Sequence, residues 1–166
     1  MKKIDFQSRA IIMCGISGSG KTYYARELEK EGYLRLSTDT LIWEKTKGRL
    51  HELSNEEQKA LFKQCNQEIR SRLRSLLQSK EKVVVDATHC KRAVRDEVRN
   101  ICENAGVAPV FIYCSAEKEE LWSRLCRRKG EGPDDLPVTE DQFSEYWNGF
   151  EHPQKDETDF IFLHIM

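Results

Sequence analysis

Short apolar runs and longer amphipathic stretches alternate along the chain of 166 residues. Apolar runs of a few residues are typical of strands covered on both faces, whereas apolar positions three and four residues apart predict helices. Strands and helices that alternate with short connections predict an α/β fold of three layers, with helices on both faces of a five-stranded parallel sheet. Strands are predicted at 10–14, 33–37, 82–88, 107–115 and 159–166, and helices at 21–32, 40–45, 54–80, 92–106, 117–130 and 139–150.

Length and charge limit the kinds of protein that this sequence can encode. A chain of this length with 39% hydrophobic residues is expected to form one domain over 1–166. Its 27 basic and 28 acidic residues almost cancel, which argues against a surface wrapped by nucleic acid but allows a local basic channel. No apolar stretch has the length of a signal peptide or a membrane span, so we expect a cytoplasmic protein with no membrane partner.

The stretch "GISGSGKT" (residues 15–22) joins the first predicted strand to the first predicted helix. It satisfies G-x-x-x-x-G-K-[ST], in which glycines let backbone N–H groups surround a phosphate. Lys21 is expected to reach the β- and γ-phosphates of ATP, and Thr22 to bind Mg²⁺ through its hydroxyl. The predicted nucleotide-binding residues are Gly15, Ser17, Gly18, Ser19, Gly20, Lys21, Thr22 and Tyr23.

Two carboxylates come at or just after the ends of neighbouring predicted strands. Asp86 closes the apolar run "VVVD" and is expected to help hold Mg²⁺. Asp39 follows the second strand and could accept the proton of an attacking hydroxyl. Because the carboxyl ends of parallel strands share one edge, both side chains are expected near the phosphate loop. The alternative for each is an ordinary helix cap or turn residue.

Arginines precede a stretch rich in Pro, Gly and Asp. Arg124, Arg127 and Arg128 lie just before residues 131–138, which are expected to form a mobile loop. This arrangement favours a lid over about 124–138 whose guanidinium groups meet the transferring phosphoryl group. The alternative is a solvated helix end, where cations are favoured anyway.

A second basic group, Arg70, Arg72 and Arg74, lies on the longest predicted helix. These arginines could line a channel for the phosphate acceptor. The alternative is a solvated basic face of the helix.

The chain resembles the small phosphate-loop (P-loop) kinases of the polynucleotide 5′-kinase and zeta-toxin-like group, which are AAA-type ATP-binding proteins. The likeness rests on "GISGSGKTYYAREL", "LSTD", "VVVDATHCKRAVRDEVRNICENAG" and "FIYCSAEKEELWSRLCRRKG". It implies the P-loop NTPase fold. It also implies a general base at Asp39, a strand-end pair at Asp86 and Thr88, and an arginine of the next helix at Arg95. The family's lid pair falls on Arg124 and Arg128.

Two positions depart from this group. The arginine that follows the base in D-x-x-R, and touches the acceptor's phosphate in polynucleotide kinases, is Ile42 here. The asparagine of D-x-T-N is His89. Both positions are expected where the acceptor is read, with Lys45 or Arg49 as candidate replacements for the arginine.

The leading hypothesis is a kinase that moves the γ-phosphate of ATP to a hydroxyl, with Lys21, Asp39, Arg124 and Arg128 as catalytic residues. Its acceptor would be a 5′-hydroxyl of a polynucleotide or nucleotide, or alternatively a sugar or other small metabolite. Two other hypotheses stay open: an ATPase or nucleotide switch without an acceptor, and a domain that binds nucleotide but has lost transfer.

Overall fold

The computed structural model describes residues 7–164, and its strands and helices alternate as the sequence predicts. The strands are β1 Ala10–Cys14, β2 Leu34–Ser37, β3 Val83–Asp86, β4 Val110–Ser115 and β5 Phe160–His164. The helices are α1 Lys21–Lys30, α2 Thr38–Thr46, α3 Asn55–Gln78, α4 Arg92–Asn104, α5 Lys118–Cys126 and α6 Glu140–Gly149. Two short 3-10 turns are Leu50–Glu52 and Pro133–Asp135.

Within residues 7–164, the five strands form one parallel sheet in the order β2-β3-β1-β4-β5. The register sets Ser37 opposite Asp86 and Cys14 opposite Tyr113, so the carboxyl ends of four strands meet at one edge. Right-handed crossovers place the helices on the two faces. The predicted α/β fold and parallel sheet are therefore confirmed.

The central strand β1 is buried on both faces. Ala10 and Ile12 pack into the cluster beneath α2, α3 and α4, whereas Ile11 and Met13 pack into the cluster beneath α1. This alternation follows from the two-residue period of a strand. Burying an isoleucine fully stabilises the fold by about 1.5–3 kcal/mol, so the strand that carries the phosphate loop is firmly held.

Helix α3 starts with the predicted capping box. The Ser54 hydroxyl accepts the N–H of Glu57, and the Glu57 carboxylate accepts the N–H of Ser54. At α2, the cap is Ser37, whose hydroxyl accepts the N–H of Thr40. The interpretation of Asp39 as a mere helix cap is therefore wrong. Asp39 lies inside the first turn of α2, which leaves its carboxylate available for other contacts.

Two predicted elements are shorter than expected by at least three residues at one end. Strand β4 starts only at Val110, because Val107 donates its N–H to Cys102 at the end of α4 and Pro109 has no N–H to donate. Helix α5 ends at Cys126, because the N–H groups of Arg127 and Arg128 bond to carbonyls three residues back.

Residues 1–6 and the end of the predicted last strand, 165–166, lie outside the described residues. Across 7–164, no helix combines the length and the apolar character that crossing a membrane requires.

Candidate functional site

The loop between β1 and α1 follows a path that only glycine permits at two positions. Gly15 has φ +145°, and a Cβ there would lie 2.3 Å from the Cys114 carbonyl oxygen. Gly18 has φ +86°, and its Cβ would lie 3.1 Å from the Leu121 carbonyl oxygen. The loop therefore packs backbone to backbone against the end of β4 and against α5.

This loop presents a ring of unpaired N–H donors. Ser19 donates its N–H to the Ile16 carbonyl, 3.1 Å away. The N–H groups of Ser17, Gly18, Gly20, Lys21 and Thr22 find no acceptor anywhere in residues 7–164. Such donors at the start of a helix form a ready site for an anion, and they fit a nucleotide phosphate. Tyr23, the last of the predicted nucleotide-binding residues, lies in the first turn of α1 and is 62% exposed.

Lys21 curls back over the loop. Its side chain is buried, and Nζ donates to the Ile16 carbonyl oxygen at 2.9 Å and to Ser19 Oγ at 3.5 Å. Burial lowers the pKa of Lys21, while the nearby charges of Asp86 and Asp39 oppose that effect. A phosphate oxygen is a stronger acceptor than a carbonyl and would relieve the cost of burying this charge.

Asp86 lies at the end of β3 with a side chain only 4% exposed. Arg35 donates to its Oδ2 from Nε at 3.0 Å and from Nη2 at 2.7 Å. Among the described residues, no donor contacts Oδ1.

The residues present fit a magnesium ion that is held jointly with a nucleotide. Mg²⁺ is bound in such sites by one or two protein oxygens together with phosphate oxygens and waters. The Thr22 hydroxyl and Asp86 Oδ1 supply oxygens of this kind. Across residues 7–164, no group of three or more His, Cys, Asp or Glu side chains could hold a metal alone.

Asp39 is partly buried, close to both the loop lysine and the strand-end carboxylate. Burial and the charge of Asp86 raise the pKa of Asp39 to about 6, against the lowering effect of Lys21 and Arg128. Asp134 raises the pKa of Asp39 as well. The carboxylate is thus ionised at neutral pH yet more basic than an exposed aspartate, as a general base should be.

The two lid arginines point toward this edge. Arg124 donates from Nη1 to the Gly18 carbonyl oxygen at 3.2 Å, and from Nε to Glu120. Arg128 donates to the Leu136 carbonyl oxygen at 2.9 Å. The structure thus brings Arg124 against the phosphate loop and Arg128 near Asp39.

The lid segment (residues 124–138) includes the loop 131–138 that is expected to be mobile, and in the structure this loop is docked on the body of the protein. Asp134 accepts hydrogen bonds from Arg26 of α1 and Arg35 of β2. Leu136 is buried in the cluster beneath α2. These contacts hold the segment over the carboxyl ends of β2 and β3.

Arg35 is the residue of this edge that the sequence analysis misses. It is buried, with a side chain 8% exposed, and bonds to both Asp86 and Asp134. Its role depends on the β2–β3 register, in which Ser37 pairs with Asp86. Arg35 lies two residues before Ser37 in β2, on the same face of the sheet. No local pattern in the sequence carries that register.

Ile42 and His89, the two positions that depart from the polynucleotide kinase group, are both buried. Ile42 is fully buried among core residues. His89 has φ +46° and donates from Nδ1 to the Met13 carbonyl oxygen, 2.6 Å away, which ties the end of β3 to β1. Burial lowers the pKa of His89 to about 4, so its ring is neutral.

Two further residues of the family motif hold the same region together. The Thr88 carbonyl accepts the N–H of Gly15 at 3.0 Å, and the Thr88 side chain is exposed. Arg95 is fully buried and donates to Glu157 at 2.8 Å and to the carbonyls of His89 and Glu151. Its partners are all inside the protein, so it anchors loops.

The other candidate cations for an acceptor channel are mostly paired with acids. Arg70 bonds to Glu97 at 3.2 Å, and Lys45 to Glu68 at 3.1 Å. The remaining ion pairs are Arg72 with Glu68 and Arg49 with Glu52. Only Arg74, of these five, has no ion pair among residues 7–164, and it is exposed.

Solved structures share this fold at low sequence identity. A gluconokinase from Sinorhizobium meliloti 1021 is 21% identical, with a TM-score of 0.65 over 93% of this chain and 81% of its own. A sugar kinase from Janibacter sp. HTCC2649 is 16% identical, with a TM-score of 0.66 over 95% and 85%. Chaetomium thermophilum Kti12, in complex with ADP-AlF3, is 17% identical, with a TM-score of 0.63 over 93% and 88%.

Among curated proteins, no sequence matches this chain significantly. A family model described as an AAA domain matches residues 11–153, from the first strand through the phosphate loop and lid segment to the connection before β5. The structural neighbours are P-loop kinases, and they support the same fold. The chain therefore belongs to the AAA domain family.

Proposed function

We propose that this protein is an ATP- and Mg²⁺-dependent kinase that transfers the γ-phosphoryl group to a hydroxyl. The observation that carries the proposal is the meeting, at one sheet edge, of an unpaired ring of loop amides with Asp39, a carboxylate whose pKa is raised to about 6. Amides for the phosphates and a base for the acceptor are the two parts that phosphoryl transfer to an alcohol requires.

In the proposed reaction, Asp39 takes the proton of the acceptor hydroxyl as that oxygen attacks the γ-phosphorus. The bond from the γ-phosphorus to the bridging oxygen breaks, and ADP leaves. Lys21 and the loop amides hold the β- and γ-phosphates. Arg124 and Arg128 exchange their carbonyl partners for the transferring group, whose charge they stabilise. Mg²⁺, bound through Thr22 and Asp86, would neutralise phosphate charge.

We further propose that the acceptor is a small neutral polyhydroxyl compound. Four of the five cations considered for an acceptor channel already bind acids, which disfavours an acceptor with its own phosphate. Burial raises the pKa of Tyr146 in α6, and the charge of the nearby Asp39 raises it further. A phenol suits hydrogen bonding to a neutral hydroxyl. The similarity to a sugar kinase supports the same class, and the similarity to a gluconokinase supports a polyhydroxyl acceptor.

A polynucleotide 5′-hydroxyl is the second acceptor class, which the resemblance of "LSTD" and "VVVDATH" to polynucleotide kinases favours. This chain would have to recognise such an acceptor without the arginine of the D-x-x-R pattern, because that position is Ile42 here. An ATPase or switch without an acceptor is less favoured, since such proteins commonly rely on an arginine from a partner, whereas this chain has one arginine against the loop and a second near Asp39.

The test is transfer of labelled γ-phosphate from Mg²⁺-ATP to sugars and polyols, 5′-hydroxyl DNA and RNA oligonucleotides, nucleosides, and water. Label is expected on one polyhydroxyl class, and Asp39→Asn should slow it at least about a hundredfold with little change in ATP affinity. Asp141→Asn is the matched control, because Asp141 has the same position in the first turn of α6 but is exposed.

The proposal fails if label appears only as free phosphate, at one rate with every acceptor. That result indicates an ATPase or switch. Tight ATP binding with no turnover, unaffected by Asp39→Asn, indicates a domain that has lost transfer. Label on oligonucleotides alone keeps the kinase and overturns the neutral acceptor.

A further inference from the structure

Arg35 approaches the strand-end carboxylate from the neighbouring strand. Ser37 of β2 lies opposite Asp86 of β3, and Arg35 is two residues before Ser37 on the same face. A diagonal neighbour on a sheet lies within reach of a long side chain. Both bonds, from Nε at 3.0 Å and Nη2 at 2.7 Å, end on Oδ2 of Asp86. The Arg35 guanidinium therefore holds Oδ2 in place and leaves Oδ1 without a donor among the described residues.

The same Nη2 atom also holds the lid segment. It donates to Oδ1 of Asp134 at 2.8 Å, and Oδ2 of Asp134 accepts from Nε of Arg26 at 2.7 Å. Asp134 lies in the 3-10 turn Pro133–Asp135, where the Asp135 carboxylate accepts the N–H groups of Lys129 and Glu131. The turn is thus braced internally, and Asp134 is its charged attachment to the body.

We propose that Arg35 is a positioning residue that couples the lid segment to the Asp86 carboxylate, so that one buried guanidinium both docks the lid and aims the carboxylate. The inference rests on the proposed function for the meaning of the Asp86 site. The docking of the lid segment does not depend on it.

The position of Lys21 explains why Asp86 needs such a support. Asp86 is buried and close enough to Lys21 for each charge to act on the other. A buried carboxylate that loses its partner cannot stay uncompensated. Without Arg35, Asp86 would lose both hydrogen bonds to Oδ2 and would depend on the nearby charge of Lys21 instead.

Because one donor atom serves both acids, the two contacts are linked. A change that weakens the bond to Asp134 alters how Arg35 holds Asp86, and a ligand at Asp86 alters how firmly the lid segment docks. Such coupling is reciprocal by thermodynamic necessity.

The first test is limited trypsin digestion of the nucleotide-free protein, which reads docking without any reaction. Cleavage after Arg127, Arg128 and Lys129 reports opening of the lid segment. Asp134→Asn and Arg35→Gln should each accelerate it at least about fivefold, because a segment that loses its attachment opens more often. Arg92→Gln, a partly buried arginine of α4, is the control and should leave the rate unchanged.

In the Asp134→Asn background, a further Arg35→Gln should add little, since Arg35 acts on the lid segment through Asp134. Cleavage of Asp134→Asn at the wild-type rate overturns the docking role. The docking role is also overturned if the two substitutions accelerate cleavage independently, so that their effects multiply in the double variant.

The second test uses a fluorescent ATP analogue and compares its Kd with and without Mg²⁺. Asp86→Asn should remove most of the Mg²⁺ effect, and Arg35→Gln should weaken it about tenfold or more, as expected for a residue that orients a metal-binding group. Arg35→Lys keeps the charge but cannot bond two acids from one planar group, so it should also weaken the effect. Arg35→Gln should add nothing once Asp86 is Asn.

The two proposals fail in different ways. If the Mg²⁺ effect survives Arg35→Gln but not Asp86→Asn, the positioning role is overturned while the kinase proposal stands. If it survives Asp86→Asn as well, the metal role of Asp86 fails and the positioning role fails with it. If both variants behave as expected and no acceptor is labelled, the kinase proposal fails while the coupling stands.

Discussion

Two groups of cations in this protein differ in what they bind. The α4 arginines (Arg92, Arg95 and Arg99) end on carboxylates, chiefly of the connection before β5. The loop-edge cations (Lys21, Arg124 and Arg128) direct side-chain N–H donors at backbone carbonyls of Ile16, Gly18 and Leu136, and Arg124 also pairs with Glu120 of its own helix. A carboxylate neutralises a cation, whereas a carbonyl, as at Lys21 and Arg128, leaves the charge for a stronger acceptor. Under the proposed function, the two groups of cations therefore have different roles.

The α4 arginines strongly lower the pKa of the buried Glu157. Burial alone would raise the pKa of Glu157, but hydrogen bonds from Arg95, the Gln154 N–H and Arg99 lower it to about 2. A depressed pKa means that this contribution to stability is complete above about pH 4.5 and is lost only as the pH falls toward 2. The α4 group is thus a fixed support.

Replacement of a loop-edge cation should have the largest effect on activity. Lys21→Met keeps the length of a buried side chain but removes the charge, and should lower phosphoryl transfer about a thousandfold or more. The measurement is the initial rate at saturating Mg²⁺-ATP. Lys30→Met, at the exposed end of α1, is the control. A loss below about tenfold would contradict the role of Lys21.

Replacement of an α4 arginine should instead act on folding. Arg95→Gln leaves Glu157 buried without its main partner and should lower the free energy of unfolding by about 3–5 kcal/mol. For a chain of this size, Tm should fall by about 10 °C. Differential scanning calorimetry checks both values. Arg92→Gln, in the same group but only partly buried, should change Tm far less. Equal shifts for the two variants would show that burial does not set the cost.

Arg128→Gln tests whether this lid residue behaves as a loop-edge cation or as a structural arginine of the α4 kind. Transfer should slow about a hundredfold, because a stabilising charge is lost at the phosphoryl group. Tm should change by less than about 3 °C, since the lost bond is a single one to the Leu136 carbonyl. Arg127→Gln, its exposed neighbour, should be near wild type in both measurements. A large loss of Tm with an unchanged rate would move Arg128 to the structural group.

The smallest expected effect is a graded dependence on pH. Because the pKa of Asp39 is about 6, kcat/KM should be level above pH 7 and fall about tenfold per unit well below pH 6, as the base becomes protonated. The raised pKa also means that ionised Asp39 opposes folding above about pH 4, so Asp39→Asn should raise Tm at pH 7. A profile that stays level down to pH 5 would exclude Asp39 as the base.

Much of the edge could be predicted from local sequence. Glycine spacing places the loop after β1, and Asp86 comes directly after an apolar run, so a parallel sheet must bring them to one edge. What the sequence leaves out depends on register and side-chain direction. Arg35 meets Asp86 only because Ser37 lies opposite that residue.

The inward directions of Ile42 and His89 likewise could not be predicted from the sequence. Ile42 points into the core because α2 begins at Thr38, which fixes the face that each later residue presents. His89 turns inward because its backbone adopts φ +46°, a conformation that residue type alone does not reveal. A motif position gives the place of a residue along the chain and leaves the direction of its side chain open.

The buried bond from His89 to the Met13 carbonyl makes that imidazole a spectroscopic reporter. The ring is neutral and must carry its proton on Nδ1, because both groups near that nitrogen are carbonyl oxygens. Such a proton exchanges slowly with water and should give a separate low-field NMR signal. Since the bond spans the end of β1 and the turn after β3, the chemical shift of that one proton should register the arrival of a nucleotide.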